Sequence, residues 1–207
     1  MRNIQIYGIG IPILLIFTLV LGFNSSSWGL EREGMIGVSG SILTGLATGD
    51  FGSLVESGLG AGVNLEYFMN KNLVLGASFG YLLFQSPAVV DESTLAQEWR
   101  MLSYGVFGKY VFNPNKEFSF YGKGGAVLNS YQIKYERFTP PVPSDSSKLK
   151  DNTTQLNAGL GISFDYKERV GIFAEFLYNR LLIKDLSVQF FGLNIGATLY
   201  WGGRKQK

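Results

Sequence analysis

The chain has 207 residues, enough for one domain, and its formal charge of +2 gives no reason to expect nucleic acid or an acidic partner. It contains no Cys, which excludes disulfides, thiol chemistry and a lipid-modified cysteine. It also contains no His, so the usual base of Ser-His hydrolases is missing. Glycine is abundant, at 27 residues, and the glycines lie inside alternating apolar segments, where they indicate strand positions that need room.

The first 29 residues have the three parts of a secretory signal peptide. Arg2 precedes an apolar run over residues 6–23, and small residues follow that run. Ser27 and Gly29 would occupy the −3 and −1 positions of a cleavage site before Leu30. The alternative is a retained membrane helix, since the run is close to the ~20 residues that a span requires. We predict a signal peptide over residues 1–29, because small residues follow the run at the right distance.

The rest of the chain is dominated by period-two alternation, most clearly over residues 153–166. There every second side chain is apolar, and the residues between are small or polar. A strand sends successive side chains to opposite faces, so one face of this segment is apolar and the other carries small or polar side chains. Eight such candidate strands occur, at residues 35–46, 59–69, 73–84, 99–112, 118–135, 153–166, 170–182 and 187–201.

Long and short connections join these strands in what we predict to be strict succession. The long ones cover residues 47–58, 85–97 and 137–152, and the short ones cover residues 70–72, 113–116 and 167–169. An even strand number with short turns at one rim and long loops at the other is typical of bacterial outer-membrane barrels, whose short turns are periplasmic.

Charged residues separate a membrane barrel from a soluble one. Within the strands, acidic and lysine side chains fall on the small-residue face: Glu66, Lys109, Lys123, Asp165 and Glu175. Lys134 and Arg180 have the opposite parity but lie near loops, where a charge costs little. A lipocalin-like soluble barrel would show the reverse arrangement. The pattern therefore predicts an all-β, eight-stranded, antiparallel up-and-down transmembrane barrel. The soluble ligand-binding barrel remains an alternative that solubility without detergent would support.

Aromatic residues gather near the strand ends, where their amphipathic rings suit the two interfaces of a bilayer. One predicted girdle lies at the short-turn rim and comprises Tyr67, Phe112, Phe118, Phe120, Phe164, Tyr166 and Trp201. The other lies toward the long loops and comprises Tyr81, Phe84, Trp99, Tyr104, Tyr178 and Phe191.

Four inward charges fall at a similar predicted height, roughly 10 to 13 Å from the short-turn rim. They are Glu66, Lys109, Lys123 and Glu175, and the two lysines lie on adjacent strands, where they would repel unless carboxylates pair with them. We expect an ion-pair layer across the lumen. It would act as a structural plug or as a selectivity gate.

The last strand carries Asn194, Gly196, Leu199 and Trp201, which together resemble the terminal assembly signal of small eight-stranded outer-membrane barrels. The family is that of OmpX and the transmembrane domain of OmpA, with OmpW-like barrels as second choice. The resemblance covers residues 34–201 and implies passage through the periplasm with chaperones and insertion by the barrel-assembly machinery. The family's terminal aromatic residue is replaced by a short tail. We place the barrel at residues 30–203 and a basic tail at 204–207.

No other segment of the sequence gives a strong indication of a catalytic, metal-binding or phosphate-binding site. Asp91, Glu92 and the segment 144–146 lie on predicted loops, where acidic and serine clusters usually serve solvation or turns. The glycine-rich segment around Lys123 lies in a strand with no following helix, so it does not indicate phosphate binding. We predict no catalytic residue, metal or cofactor.

The predicted function is a non-enzymatic, monomeric outer-membrane protein in contact with lipid and lipopolysaccharide. It would serve envelope integrity, or it would contact a host surface or an envelope protein through its loops. The alternative is a small OmpW-like channel for hydrophobic or small solutes, which inward Phe107, Phe173 and Leu177 would favour.

Overall fold

The structure, a computed structural model, describes residues 32–55, 57–85, 95–114, 116–137, 146–166, 169–183 and 186–202. These residues form eight strands and, between the first two strands, a short helix α1 (Gly49–Leu54). The strands are β1 (Met35–Thr48), β2 (Ser57–Phe68), β3 (Leu73–Gln85), β4 (Leu95–Val111), β5 (Phe118–Arg137), β6 (Ser146–Tyr166), β7 (Val170–Ile183) and β8 (Leu186–Gly202). Within the described part of the chain, no helix is long and apolar enough to cross a membrane.

The strands close into an antiparallel barrel in sequence order, with β8 paired to β1. When the register is followed once around from Ile36, it returns to β1 at Leu46, a shift of ten residues. For eight strands this shift corresponds to a tilt of about 40°. The predicted fold class is confirmed.

The two faces of the barrel wall differ in polarity as the alternation predicts. Outward side chains such as Leu59, Val106 and Leu160 are 64 to 65% exposed. Inward polar side chains such as Ser39, Asn64 and Glu175 are buried. A continuous apolar exterior of this kind is stable when lipid covers it.

The strand ends differ from the predictions on the side of the long connections. β4 begins at Leu95 and β6 begins at Ser146, so parts of the predicted loops 85–97 and 137–152 are strand. The predicted loop 47–58 contains the end of β1, helix α1 and the start of β2. The sequences concerned are polar and outside the lipid belt, so apolar alternation gives no signal for them.

The predicted succession of long and short connections is also wrong at one place. Only residues 184 and 185 separate β7 from β8, and Ile183 pairs with Leu186. We call the end of the barrel where β2 leads to β3, β4 to β5 and β6 to β7 the turn end. The opposite end, where β1 leads to β2, β3 to β4, β5 to β6 and β7 to β8, is the loop end.

Candidate functional site

The four charged residues singled out in the sequence lie together in the lumen. Lys109 Nζ is 2.7 Å from Glu66 Oε1 and 3.1 Å from Glu175 Oε1, and Lys123 Nζ is 2.8 Å from Glu175 Oε2. The two lysines pair directly across β4 and β5. All four residues are at most 8% exposed. Glu175 therefore bridges both ammonium groups, and the Tyr121 hydroxyl donates a further hydrogen bond of 3.0 Å to its Oε1.

Aromatic rings surround this charge layer. Lys123 Nζ lies 4.3 Å from the ring centroid of Phe107, and Lys109 Nζ lies 4.7 Å from that of Tyr121. Such contacts stabilise a desolvated ammonium group. The rings need glycines in the wall, because a Cβ at Gly161 would lie 2.3 Å from the Tyr121 ring. The inward glycines of the sequence thus make room for the rings beside the ion pairs.

A belt of side-chain hydrogen bonds lines the wall on the loop-end side of the charge layer. Ser103 Oγ donates to Asn129 Oδ1, and Asn129 donates to Gln155 Oε1 at 3.0 Å. Gln155 in turn donates to Asn179 Oδ1 at 2.8 Å. These four residues come from β4, β5, β6 and β7 in order. The belt ties four adjacent strands together through neutral groups.

A cavity of about 100 Å³ lies inside this belt, and we call it the chamber. Its polar lining includes Ser41, Asn64, Ser78, Ser103, Gln155, Asn157, Asn179 and Asn194, with Lys123 also contributing. Asn157 Oδ1 is buried there without a hydrogen-bond partner.

The loop end of the lumen is filled by apolar side chains, which we call the loop-end cluster. Its members are Phe51, Val55, Leu82, Phe84, Trp99, Met101, Tyr131, Ile133, Leu181, Val188 and Phe190. Phe51 of α1 packs edge-to-face on Phe84 and on Trp99, with centroid distances of 5.1 and 5.0 Å. The prediction that Phe84 and Trp99 belong to a lipid-facing girdle is wrong, since both point inward and are buried. They lie where the barrel needs a core, and aromatic rings serve that purpose as well as a bilayer interface.

The turn end is closed by a side chain that the sequence analysis missed. Arg32, just before β1, forms a salt bridge with the buried carboxylate of Asp165. Its guanidinium lies 4.6 Å from the ring centroid of Tyr200 and 5.4 Å from that of Phe68. Arg32 is near the predicted cleavage site in sequence, and no period-two pattern reaches it.

Beyond the loop end, three strands continue as a sheet that we call the protruding sheet, formed by the loop-end parts of β4, β5 and β6. Its β5 and β6 stay paired as far as Glu136 and Ser146. The register between β6 and β7 begins only at Gln155. Among the described residues, the segment 146–152 of β6 therefore has a strand partner on one side only.

The proposed assembly-signal residues occupy both faces of β8. Asn194 lines the chamber, and a Cβ at Gly196 would lie 2.7 Å from the Phe173 ring. Leu199 and Trp201 are exposed on the outside. Ser27, Gly29, Asp91, Glu92, Ser144 and Asp145 lie outside the described residues. In the described ranges, no group of three or more His, Cys, Asp or Glu is arranged to hold a metal ion.

Solved structures of outer-membrane barrels share this fold. The attachment invasion locus protein Ail of Yersinia pestis, in complex with the heparin analogue sucrose octasulfate, is 19% identical with a TM-score of 0.56, covering 82% of this chain and 99% of Ail. Neisserial surface protein A is 16% identical with a TM-score of 0.53, covering 81% of this chain and 98% of its own. OprG of Pseudomonas aeruginosa is 12% identical with a TM-score of 0.59, covering 83% and 98%. No curated protein matches the sequence significantly.

A closed eight-stranded barrel with an apolar exterior and charged side chains inside defines the small outer-membrane barrels. The model of the outer membrane protein beta-barrel domain family matches residues 15–198, and the chain belongs to that family. The predicted family and the predicted location in the bacterial outer membrane are confirmed.

Proposed function

We propose that this protein is a non-enzymatic surface-interaction barrel that binds its partner through the protruding sheet. One observation supports this most directly: among the residues that the structure describes, the segment 146–152 of β6 pairs with β5 and with no strand on its other side. Such an edge offers free backbone donors and acceptors to an extended segment of another protein. In outer-membrane barrels the end opposite the short turns faces the outside, where host or envelope proteins are met.

The protruding sheet has contacts on both of its faces that support its use as a platform. On its inner face, Trp99 stacks on Tyr131 with a centroid distance of 5.8 Å, and Phe51 packs against Trp99. On its outer face, Glu98 pairs with Arg100, and Lys134 Nζ is 3.7 Å from Glu98 Oε1. One face of the sheet is thus fixed by a core while the other is hydrated. A sheet of this kind holds its edge in place for a partner strand.

Attachment of bacteria that express the protein to cultured epithelial cells tests this proposal. Lys150→Pro and Asp151→Pro each remove one backbone N–H from β6. Neighbouring N–H groups in a strand point to opposite sides, so one of these two variants removes an N–H that faces away from β5. We expect the variant that removes this outward N–H to reduce attachment at unchanged surface abundance. Lys150→Ala, which keeps the N–H, is the matched control. If bacteria that express the wild-type protein attach no better than bacteria that lack it, the proposal is refuted.

We further propose that the charge layer closes the lumen to continuous water flow, as a structural plug. Support comes from the full pairing of two lysines with two glutamates and from their burial. Planar-bilayer recording tests the plug: large, steady wild-type channels that Lys109→Ala and Glu175→Ala leave unchanged would exclude it. We also propose that the barrel acts as a monomer in contact with lipopolysaccharide, after delivery by periplasmic chaperones and the assembly machinery.

A small-solute channel is the second candidate. The chamber favours it, because a pathway for solutes needs a hydrated space inside the wall. The paired charges on one side of the chamber and the apolar cluster on the other favour the closed barrel. Conductance in the wild-type protein separates the two candidates.

A further inference from the structure

The chamber has the chemistry of a binding site, and its lining is neutral apart from Lys123. The ammonium of Lys123 is 2.8 Å from Glu175 Oε2, so its charge is already paired. The remaining polar lining consists of amide and hydroxyl groups. Such a wall offers hydrogen bonds to a guest and no unpaired charge to attract an ion.

One acceptor in the chamber lacks a protein partner. Asn157 Oδ1 is buried without a hydrogen bond, whereas the neighbouring Asn129, Gln155 and Asn179 bond to one another. Because buried polar groups are normally satisfied, this oxygen needs a donor from a molecule inside the chamber. The volume of about 100 Å³ is several times the ~10–15 Å³ that a cavity needs to hold one water, so the chamber has room for a small guest molecule.

Access to the chamber differs between its two sides. Toward the turn end lie the charge layer and a second buried cluster that includes Phe68, Val74 and Tyr200. Toward the loop end, Leu82, Met101 and Phe190 line the chamber and also belong to the loop-end cluster. Barrel strands supply most of that cluster, but Phe51 comes from α1 and the adjoining Val55 follows it, and both are fully buried.

Helix α1 is joined to β1 through a glycine. Gly49 at its start has a φ of +59°, a conformation that only glycine adopts without strain, and the strand β1 ends at Thr48. The helix has six residues, and its contacts with the barrel include the rings of Phe51, Phe84 and Trp99.

We propose that the chamber binds a small neutral molecule carrying hydroxyl or amide groups, which enters from the loop end when α1 moves aside. This part of the inference rests on the plug proposed above, which together with the turn-end residues makes the chamber a dead end. Ordered water is the competitor, and a guest must replace its hydrogen bonds. The inference is independent of the surface role proposed above.

Nuclear magnetic resonance of the full chain in detergent micelles tests the proposal, with glycerol as the probe. The observed signals are the side-chain amides of Asn129, Gln155, Asn157 and Asn179. In Phe51→Ala we expect saturable shifts of these signals on glycerol addition, with an onset at least ten times faster than in the wild type. Phe176→Ala, which removes a lipid-facing ring, is the matched control and should behave like the wild type. Phe51→Val serves as a second variant with a smaller loss of core.

Four further outcomes decide the case. Adding Asn157→Leu to Phe51→Ala should weaken glycerol binding several-fold, and equal binding would show that the guest does not occupy the chamber. Shifts that never saturate would show that glycerol has no specific site in the chamber and would overturn the proposal. Equal onset in wild type and Phe51→Ala would show that α1 is not the entrance. Preferential binding of benzene or guanidinium over glycerol would overturn the assigned class of guest.

Discussion

The middle and the loop end of the lumen are built by the same two strands with opposite polarity. In the middle, β4 and β5 point Lys109 and Lys123 inward and expose Val106 and Leu128 outward. At the loop end, the same strands point apolar residues inward and charged residues outward. Trp99, Met101 and Ile133 are buried there, while Glu98, Arg100 and Lys134 form ion pairs on the outer face.

This comparison shows that the medium outside the barrel wall determines the polarity of the side chains on each face of the wall. Where lipid surrounds the barrel, the outer face must be apolar, and charges are confined to the lumen. Where water surrounds it, the sheet folds like that of a soluble protein, with an apolar core inside. The transition along β4 lies between Arg100 and Leu102, whose side chain is 39% exposed.

Removing Glu175 should have the largest effect on the middle of the lumen. Glu175→Gln leaves Lys109 with Glu66 alone and leaves Lys123 without a carboxylate partner. Loss of one partner in a buried ion pair costs about 3 to 5 kcal/mol in the free energy of unfolding. Urea unfolding in lipid vesicles measures this, with Glu33→Gln at an exposed position as control. Equal unfolding midpoints would show that the layer contributes no stability.

Truncating the loop-end cluster should cost somewhat less. Trp99→Ala removes the ring that contacts Phe51 and Tyr131, and we expect a loss of about 3 kcal/mol in unfolding free energy. Tyr104→Ala on the same strand removes a lipid-facing ring and should cost less, because no core surrounds it. If both variants unfold at the same urea concentration, the loop end does not behave as a packed core.

Filling a glycine beside the charge layer should strain the wall. Gly161→Val places its Cβ against the Tyr121 ring, and overpacking of this kind costs about 2 kcal/mol. Gly40→Val is the matched control, since a Cβ at Gly40 has no neighbour within 4 Å. For each variant, the temperature at which the folded band disappears on a heat-modifiability gel is measured. Similar unfolding temperatures for the two variants would contradict a steric requirement for glycine at position 161.

The smallest effect is expected at the turn end. Arg32→Ala removes the cation–π contacts to Phe68 and Tyr200, which contribute about 1 kcal/mol, and one partner of Asp165, whose Oδ1 keeps the hydrogen bond from the Tyr200 hydroxyl. Arg32→Lys should restore part of the loss, because Lys keeps the charge without the planar group. Urea midpoints decide this, with Arg169→Ala as the exposed control. A full effect from Arg169→Ala would show that net charge, and not the Arg32 contacts, is responsible.

Several features of the fold could be predicted because they follow from local patterns. The alternation over residues 153–166 predicts the second part of β6, which ends at Tyr166, and similar patterns predict the other seven strands. The inward parity of Glu66, Lys109, Lys123 and Glu175 follows from the same periodicity. The beginnings of β4 and β6 could not be predicted, because residues 95–98 and 146–152 lie outside the lipid belt and lack its alternation.

The site was only partly predictable for a related reason. Phe84 and Trp99 have the parity of the inward Ser78 and Ser103, so period two alone already places both rings on the lumen face. The girdle prediction follows their position near a strand end instead. Phe51 lies in a stretch that looks like a loop, and only its contacts with Phe84 and Trp99 show that it belongs to the core. Arg32 precedes the first strand, so no pattern could connect it with Asp165.

The sequence by itself determined the number of strands, the two faces of the wall and the membrane that surrounds it, because these depend on the alternation of neighbouring side chains. Only the tertiary structure decided which lysine bonds to which glutamate, how the chamber is lined and how far β6 extends past its pairing with β7. Those features depend on a register shift of ten residues around the barrel, which brings together side chains from strands far apart in the chain.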